Sequence, residues 1–251
     1  MNALILAAGL GTRLKPLTDS MPKAMVPVGG KPLIWHLIQK LKTAGFTDIV
    51  VNVHHFASQI TDYLSANGNF GLNISISDET DELLETGGAI KKAAQLFPNQ
   101  EPFLVHNVDI MHNLDLGSLF LKHSKEAQAT LFVSERHSTR HLLYNSDGQL
   151  KGRDNDTTGE IDSPFHIVKS KPENFSRMPF SGIHIFSPTL LPLMETWPSR
   201  FPVIPFYLQA SAAGCSIRCA KIDNLQLLDV GKLDTLVKAE QFIINEEKTM
   251  I

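Results

Sequence analysis

The sequence is short of cysteine, of excess charge and of long apolar runs, and each shortage removes a class of protein. Two cysteines in 251 residues make no disulfide framework. Cys215 and Cys219 stand four apart in GCSIRCAKI, a segment that reads as a strand. At ~3.3 Å per residue their Cα atoms would lie ~13 Å apart, too far to bridge, so both are expected as reduced thiols on one strand face. Lys and Arg number 23 against 26 Asp and Glu, a formal charge of −3. The chain therefore carries no global electrostatic footprint for duplex nucleic acid or an anionic membrane. No apolar run approaches the ~18 residues that span a bilayer. The apolar opening MNALILAAG has no basic stretch before it and runs straight into Gly and Arg, unlike a secretory leader. The expectation is a soluble, cytoplasmic protein with neither nucleic-acid nor membrane partners, a monomer or small homo-oligomer.

What is present is a globular composition, 43% hydrophobic and 20% charged. Apolar runs at residues 3–6, 48–53, 72–77 and 103–106 read as strands. Helical patterns follow at 32–45, 56–64, 88–96 and 116–123. That alternation argues for a Rossmann-like three-layer α/β/α fold around a mostly parallel, mixed sheet. The second half is less regular. Strands are expected at 129–134, 180–186 and 216–222, and a hairpin turns at Asn145-Ser146-Asp147-Gly148 between Leu142–Tyr144 and Leu150. Residues 151–163 (KGRDNDTTGEIDS) are polar and aperiodic and read as a loop, Pro188 as a helix start, and residues 230–245 as a closing amphipathic helix. One domain over residues 1–251 is expected, with 135–180 an insertion or lid.

The sharpest local feature follows the first strand: Leu6-Ala7-Ala8-Gly9-Leu10-Gly11-Thr12-Arg13-Leu14. Small residues let backbone approach a ligand, consecutive N–H groups can cradle phosphate oxygens, and Arg13 and Lys23 add positive charge. Two familiar phosphate loops fail here on particular residues. The dinucleotide fingerprint needs a third Gly where Leu14 stands and an acid after the second strand, which ends Asn52-Val53-His54-His55. The P-loop needs Gly-Lys-Ser/Thr, whereas Gly30-Lys31 is followed by Pro32.

Residues 6–33, LAAGLGTRLKPLTDSMPKAMVPVGGKPL, resemble almost position by position the opening signature of the sugar-1-phosphate nucleotidyltransferases. The resemblance implies the Rossmann-like fold and a reaction joining a nucleoside triphosphate to a sugar 1-phosphate, with release of pyrophosphate. Ala7, Ala8, Gly9, Gly11 and Thr12 would wrap the triphosphate, Arg13 would hold its phosphates, and Lys23 would neutralise the reacting one. Both reactants are anions, so the chemistry calls for Mg²⁺, which takes carboxylate oxygens. Asp109, after the strand at 103–106, and Asp229, in Leu227-Leu228-Asp229-Val230-Gly231, stand where the resemblance puts its metal ligands. One position departs: the family typically has Gly before the first metal aspartate, and this chain has Asn107-Val108-Asp109. A branched side chain there would narrow the nucleotide site or redirect Asn107.

Leu84-Glu85-Thr86-Gly87-Gly88 is similar to the family segment, before a helix, that contacts base and sugar; it assigns Thr86 and Gly87, with Asn107, to the nucleotide and Glu85 to the sugar phosphate. Phe180-Ser181-Gly182-Ile183-His184 resembles the strand lining the sugar pocket, with Gly182 leaving room for the ring. Lys169-Ser170-Lys171-Pro172 is similar to the family's Glu-Lys-Pro element, in which Lys171 would meet the sugar phosphate. The histidines have no metal-ligand spacing: His54 and His55 point opposite ways on a strand, and His106 and His112 are expected to be satisfied internally. Arg136, Arg140 and Arg153 lie in or beside the polar insertion, where they could clamp an anionic substrate, although solvation is the default for arginine. Within the family the chain most resembles the N-acetylmuramate-1-phosphate uridylyltransferases, of bacterial cell-wall recycling, with mannose-1-phosphate guanylyltransferases next. A nucleotide sensor that has lost catalysis and a nicotinamide-dependent oxidoreductase remain as alternatives, the latter weakened by Leu14.

Overall fold

The protein is described by a computed structural model covering residues 1–122 and 127–249, with side chains as far as Ile244. From the amino terminus, β1 (Asn2–Leu6) ends in the Gly-rich loop. 3-10 turns at Thr12–Leu14, Leu17–Asp19 and Lys23–Met25 then lead to a short ladder of β2 (Pro27–Val28) and β3 (Lys31–Pro32). The alternation expected from the apolar pattern follows: α1 (Leu33–Thr43), β4 (Asp48–Val53), α2 (Ala57–Ala66), β5 (Asn73–Asp78), α3 (Glu85–Ala93) and β6 (Phe103–Asn107). Next come β7 (Ile110–His112), α4 (Leu116–Leu121) and β8 (Ala129–Val133). An excursion holds β9 (Arg140–Tyr144), β10 (Leu150–Asn155), β11 (Glu160–Asp162), α5 (His166–Ser170) and β12 (Ser176–Met178). The chain closes with β13 (Phe180–Phe186), α6 (Leu191–Met194), α7 (Val203–Ala212), β14 (Ile217–Lys221), β15 (Leu227–Asp229) and α8 (Leu233–Thr249). The expected end of the helix at 116–123, His123, lies outside the described residues.

The main sheet has the order β14-β8-β13-β6-β1-β4-β5. β13 runs antiparallel to both its neighbours, and the other pairings are parallel. β1 and β4 are buried on both faces, as their unbroken apolar runs require. Alternation along β1 assigns Leu4 to one apolar layer, with Phe206 and Tyr207 of α7, and Ala3 and Ile5 to the other, with Leu37 and Ile38 of α1. The i, i+3, i+4 stripe Leu33, Ile34, Leu37, Ile38 and Leu41 is wholly buried. Gly45, at φ +85°, turns the chain out of that helix as a left-handed cap requires. This order brings the carboxyl ends of β6, β1 and β4 side by side, where open α/β sheets bind ligands.

Three expectations are corrected. Residues 151–163 are not a loop: β10 and β11 pair within a second sheet ordered β11-β10-β9-β12. Their polarity hid the strands because ion pairs stand where apolar cross-strand pairs usually do. Arg153 faces Asp162 at 2.8 Å, His141 Nδ1 meets Asp154 at 3.0 Å, and Arg177 binds both Asp154 and Asp156. The closing helix begins at Leu233, because residues 227–229 form β15 against β7 instead. The third helix begins at Glu85, so Glu85-Thr86-Gly87 is its first turn and does not precede it. Both cysteines are free, as expected.

His106 and His112 are satisfied by each other, Nε2 to Nε2 at 2.8 Å. The Leu114 N–H donates to His112 Nδ1, so His112 carries its proton on Nε2 and donates to His106, whose Nδ1–H then donates to the Asn107 carbonyl. Burial holds His106 down to about 4 and His184 to about 3, and pushes His112 well below its ordinary value. All three fold as neutral imidazoles and charge more readily when unfolded. Their contribution is therefore complete above the unfolded value near 6.5 and is lost as pH falls toward 4. Urea unfolding at pH 7.5 and pH 5 should show lower stability at the lower pH, by about 2 kcal/mol for each histidine that stays neutral in the fold. A His184→Phe variant should be measurably less acid-sensitive than the parent.

Candidate active site

The Gly-rich loop is shaped by a residue on the neighbouring strand. Asn52, near the end of β4, accepts the N–H of Ala7 at 2.6 Å and of Ala8 at 3.2 Å through Oδ1, and donates from Nδ2 to Glu79 Oε1 at 2.9 Å. The other Glu79 oxygen accepts the Leu84 N–H at 3.0 Å. Both side chains are buried. Two polar groups thus tie β4 to the segments that follow β1 and β5. Sequence reading passed over both. Asn52 is visible as the one polar residue inside Ile-Val-Val-Asn-Val, since a buried amide requires a partner. Glu79, inside Asp-Glu-Thr-Asp-Glu, looks like any solvated acid. Asn52 thus occupies the N–H groups of Ala7, which packs in the core, and of Ala8, which lines the cleft.

Gly9 has no neighbour within 4 Å of a would-be Cβ, and its backbone is open to the cleft. Gly11 takes φ +62°, and a Cβ there would sit 2.8 Å from Thr18 Cγ2 and 3.1 Å from Lys23 Cβ. The Thr18 hydroxyl and the Leu14 N–H both donate to the Gly11 carbonyl, folding the turn that starts at Thr12 back on itself. Arg13 reaches out of it to Asp229 at 3.7 Å.

The two aspartates are brought together by backbone pairing. The Val108 N–H donates to the Leu6 carbonyl, the Val230 N–H donates to the Asp109 carbonyl at 2.8 Å, and Asp229 pairs with Ile110 across the β7–β15 ladder. Lys23 Nζ forms an ion pair with Asp109 Oδ2. Burial lowers Lys23 to about 8, Asp229 pulling it up and Arg13 pushing it further down. Asp229 Oδ1 is buried and has no partner among the described residues. Two hard carboxylates, one with an orphaned buried oxygen, are a donor set suited to a small divalent cation such as Mg²⁺. Val108 is buried in the core cluster that holds Ala7 and Ile183 and also lines the cavity beside Asn107 and Asp109. The Asn107 amide lies over Gly182, whose φ is +80° and where a Cβ would stand 2.8 Å from Asn107 Nδ2.

A cavity of about 250 Å³ is lined by Ala8, Gly9, Lys23, Glu85, Thr86, Asn107 and Asp109 of the expected residues, together with Asn52 and Glu79. Gly11, Arg13, Gly182 and Asp229 adjoin it through the contacts above. The α3 glycines have a packing reason: a Cβ on Gly87 would overlap the Phe201 ring, and one on Gly88 the Ser199 carbonyl. Thr86 Oγ1 accepts the Val203 N–H at 2.9 Å, holding the start of α7. Glu85 stands at φ +59°, a strained conformation for a non-glycine residue at a cleft, with its carboxylate 3.2 Å from Arg200. Lys171 is exposed at the end of α5, outside the cavity. Arg153 is held by Asp162, whereas Arg136 donates to the Phe180 carbonyl at 2.8 Å.

A Gly-rich loop, paired aspartates and a sugar-sized cleft at the carboxyl ends of a mixed sheet define a nucleotide-handling α/β enzyme. Residues 2–143 match the nucleotidyl transferase family, and the chain belongs to it. It is 37% identical to an N-acetylmuramate α-1-phosphate uridylyltransferase of Neisseria meningitidis, across 78% of this chain and 79% of that one. It is 32% identical to a mannose-1-phosphate guanyltransferase of Yarrowia lipolytica, across 79% of this chain and 53% of the relative. Among solved structures, HddC from Yersinia pseudotuberculosis in complex with GMP-PN superposes with a TM-score of 0.74 at 24% identity, covering 96% of this chain and 99% of that one, and shares the fold.

Asn52→Ala would strip two backbone donors and Glu79 of their partner at once. A loss of about 2–4 kcal/mol in urea unfolding is expected, with weakened nucleoside triphosphate binding by calorimetry.

Proposed function

We propose that this cleft joins UTP to N-acetylmuramate 1-phosphate, giving the UDP-sugar and pyrophosphate in a Mg²⁺-dependent step. The observation that carries the chemistry is the facing of two carboxylates, Asp109 and Asp229, by two cations, Lys23 and Arg13, beneath the open backbone of Gly9. The choice of substrates is supported by the Neisseria relative, which is the more similar of the two named above and matches in length.

In this reading an oxygen of the sugar phosphate attacks the α-phosphorus, the bond to the β-phosphate breaks, and pyrophosphate leaves with that electron pair. No covalent enzyme intermediate is needed, so positioning and charge neutralisation supply the rate. Asp109 and Asp229 would hold Mg²⁺, whose charge lets two anionic reactants approach. Gly9, Gly11 and Thr12 receive the triphosphate, with Arg13 against the departing phosphates and Lys23 at the reacting one. Thr86 and Asn107 border the nucleoside, and Glu85 and Gly182 the sugar. The second sheet, carried by the excursion between β8 and β13, acts as the lid over that sugar within one catalytic unit. Lys171, exposed at the end of α5, is given no role. No helix of the described residues is long and apolar enough to cross a membrane.

Nucleoside triphosphates crossed against a panel of sugar 1-phosphates, read by pyrophosphate release, test the assignment. UTP with N-acetylmuramate 1-phosphate should dominate, and dominance of GTP with mannose 1-phosphate would overturn it. Asp109→Asn and Asp229→Asn should each lower kcat by at least ~100-fold with the unfolding midpoint retained. Near-normal pyrophosphate release by either would sink the metal assignment.

A further inference from the structure

We infer that Arg136 recognises a carboxylate borne by the sugar, on the side of the ring away from its 1-phosphate. This rests on the muramyl reading above, since N-acetylmuramate differs from its parent amino sugar by a lactyl ether that ends in a carboxylate.

The sheet sets the placement. β13 lies between β6 and β8 and runs against both, so its first residues, starting at Phe180, sit at the ligand edge where β6 and β8 end. Gly182 abuts Asn107 and Ile110 on the β6 side. On the β8 side Phe180 pairs with Val133, and its carbonyl accepts from Arg136, three residues beyond the end of β8. The start of β13, with Asn107 packed over Gly182, is thus flanked by Asp109 on one side and by Arg136 on the other. Two strand spacings, ~10 Å, separate β6 from β8. A ring seated against the Asn107 amide that covers Gly182, with its phosphate toward Asp109, turns its far substituents toward Arg136.

The charge supports the same assignment. Arg153, Arg177 and Arg200 each spend their guanidinium on a carboxylate. Arg136 has no carboxylate within ion-pairing distance among the described residues, and its recorded bond is to the Phe180 carbonyl. Burial lowers it and the field of Asp229 raises it, as expected for a cation facing the cleft. A guanidinium anchored through one N–H, with further donors in a planar fork, is preorganised for bidentate carboxylate binding.

The test compares N-acetylmuramate 1-phosphate with its lactyl carboxamide, which keeps ring, phosphate and bulk but not the charge, using wild type, Arg136→Gln and Arg136→Lys. Wild type should favour the acid by about tenfold or more in kcat/KM, mainly through KM. Arg136→Gln should erase that preference while leaving the amide within about twofold of wild type, and Arg136→Lys should restore part of it. If wild type prefers the acid and Arg136→Gln loses equally on both substrates, or on neither, the assignment to Arg136 is overturned while the muramyl reading stands. A wild type indifferent to the lactyl charge overturns the inference whatever the variants do, and one that fails on N-acetylmuramate 1-phosphate but turns over an uncharged sugar phosphate overturns the reading beneath it as well.

Discussion

Everything at the mouth of the sheet hangs on the buried bond between Asn52 and Glu79. Three loops leave adjacent strands there, and none has regular structure to hold it. One amide on β4 and one carboxylate hold the loops after β1 and β5, because the amide accepts from the loop after β1 and donates to the acid, which in turn accepts from the backbone before α3. Buried polar groups are costly alone and specific when complete, and this set leaves neither side chain unmatched. The cleft is therefore shaped by its protein partners before any ligand arrives, a prerequisite for catalysis by positioning.

The alternating half of the fold was legible because its strands are buried on both faces and its helices on one, so periodicity alone separates them. The insertion was illegible for the opposite reason. β10 and β11 have little apolar face to show, and their register rests on Arg153–Asp162 and His141–Asp154, pairs that become visible only once the strands are already side by side. Turn-like composition, Asp-Asn-Asp-Thr-Thr-Gly, outweighed them.

The site divides the same way. Lys23, Asp109 and Asp229 were found by their resemblance to a long signature, and the chain folds to bring them together. Some of the motif residues also carry a packing role that the motif does not show: Gly87 and Gly88 allow the close approach of residues 199–201, and Thr86, which lines the cavity, also holds the start of α7. A motif records which residues are needed and not what each is needed for. Val108 makes the same point, since the side chain that stands where the family has glycine both fills the core and borders the cavity.

The reversed direction of β13 has a consequence for how such an enzyme diversifies. The excursion leaves from the end of β8 and returns at the start of β13, and because those strands are antiparallel both its stems emerge at the same rim of the sheet. It can be lengthened, shortened or rebuilt with a different sheet of its own, and no strand of the main sheet need shift register to accommodate it. In the proposed reading, chemistry stays with the parallel strands while the part that would meet the sugar is exchangeable, an arrangement in which new acceptors could be tried without risk to the step that consumes the triphosphate.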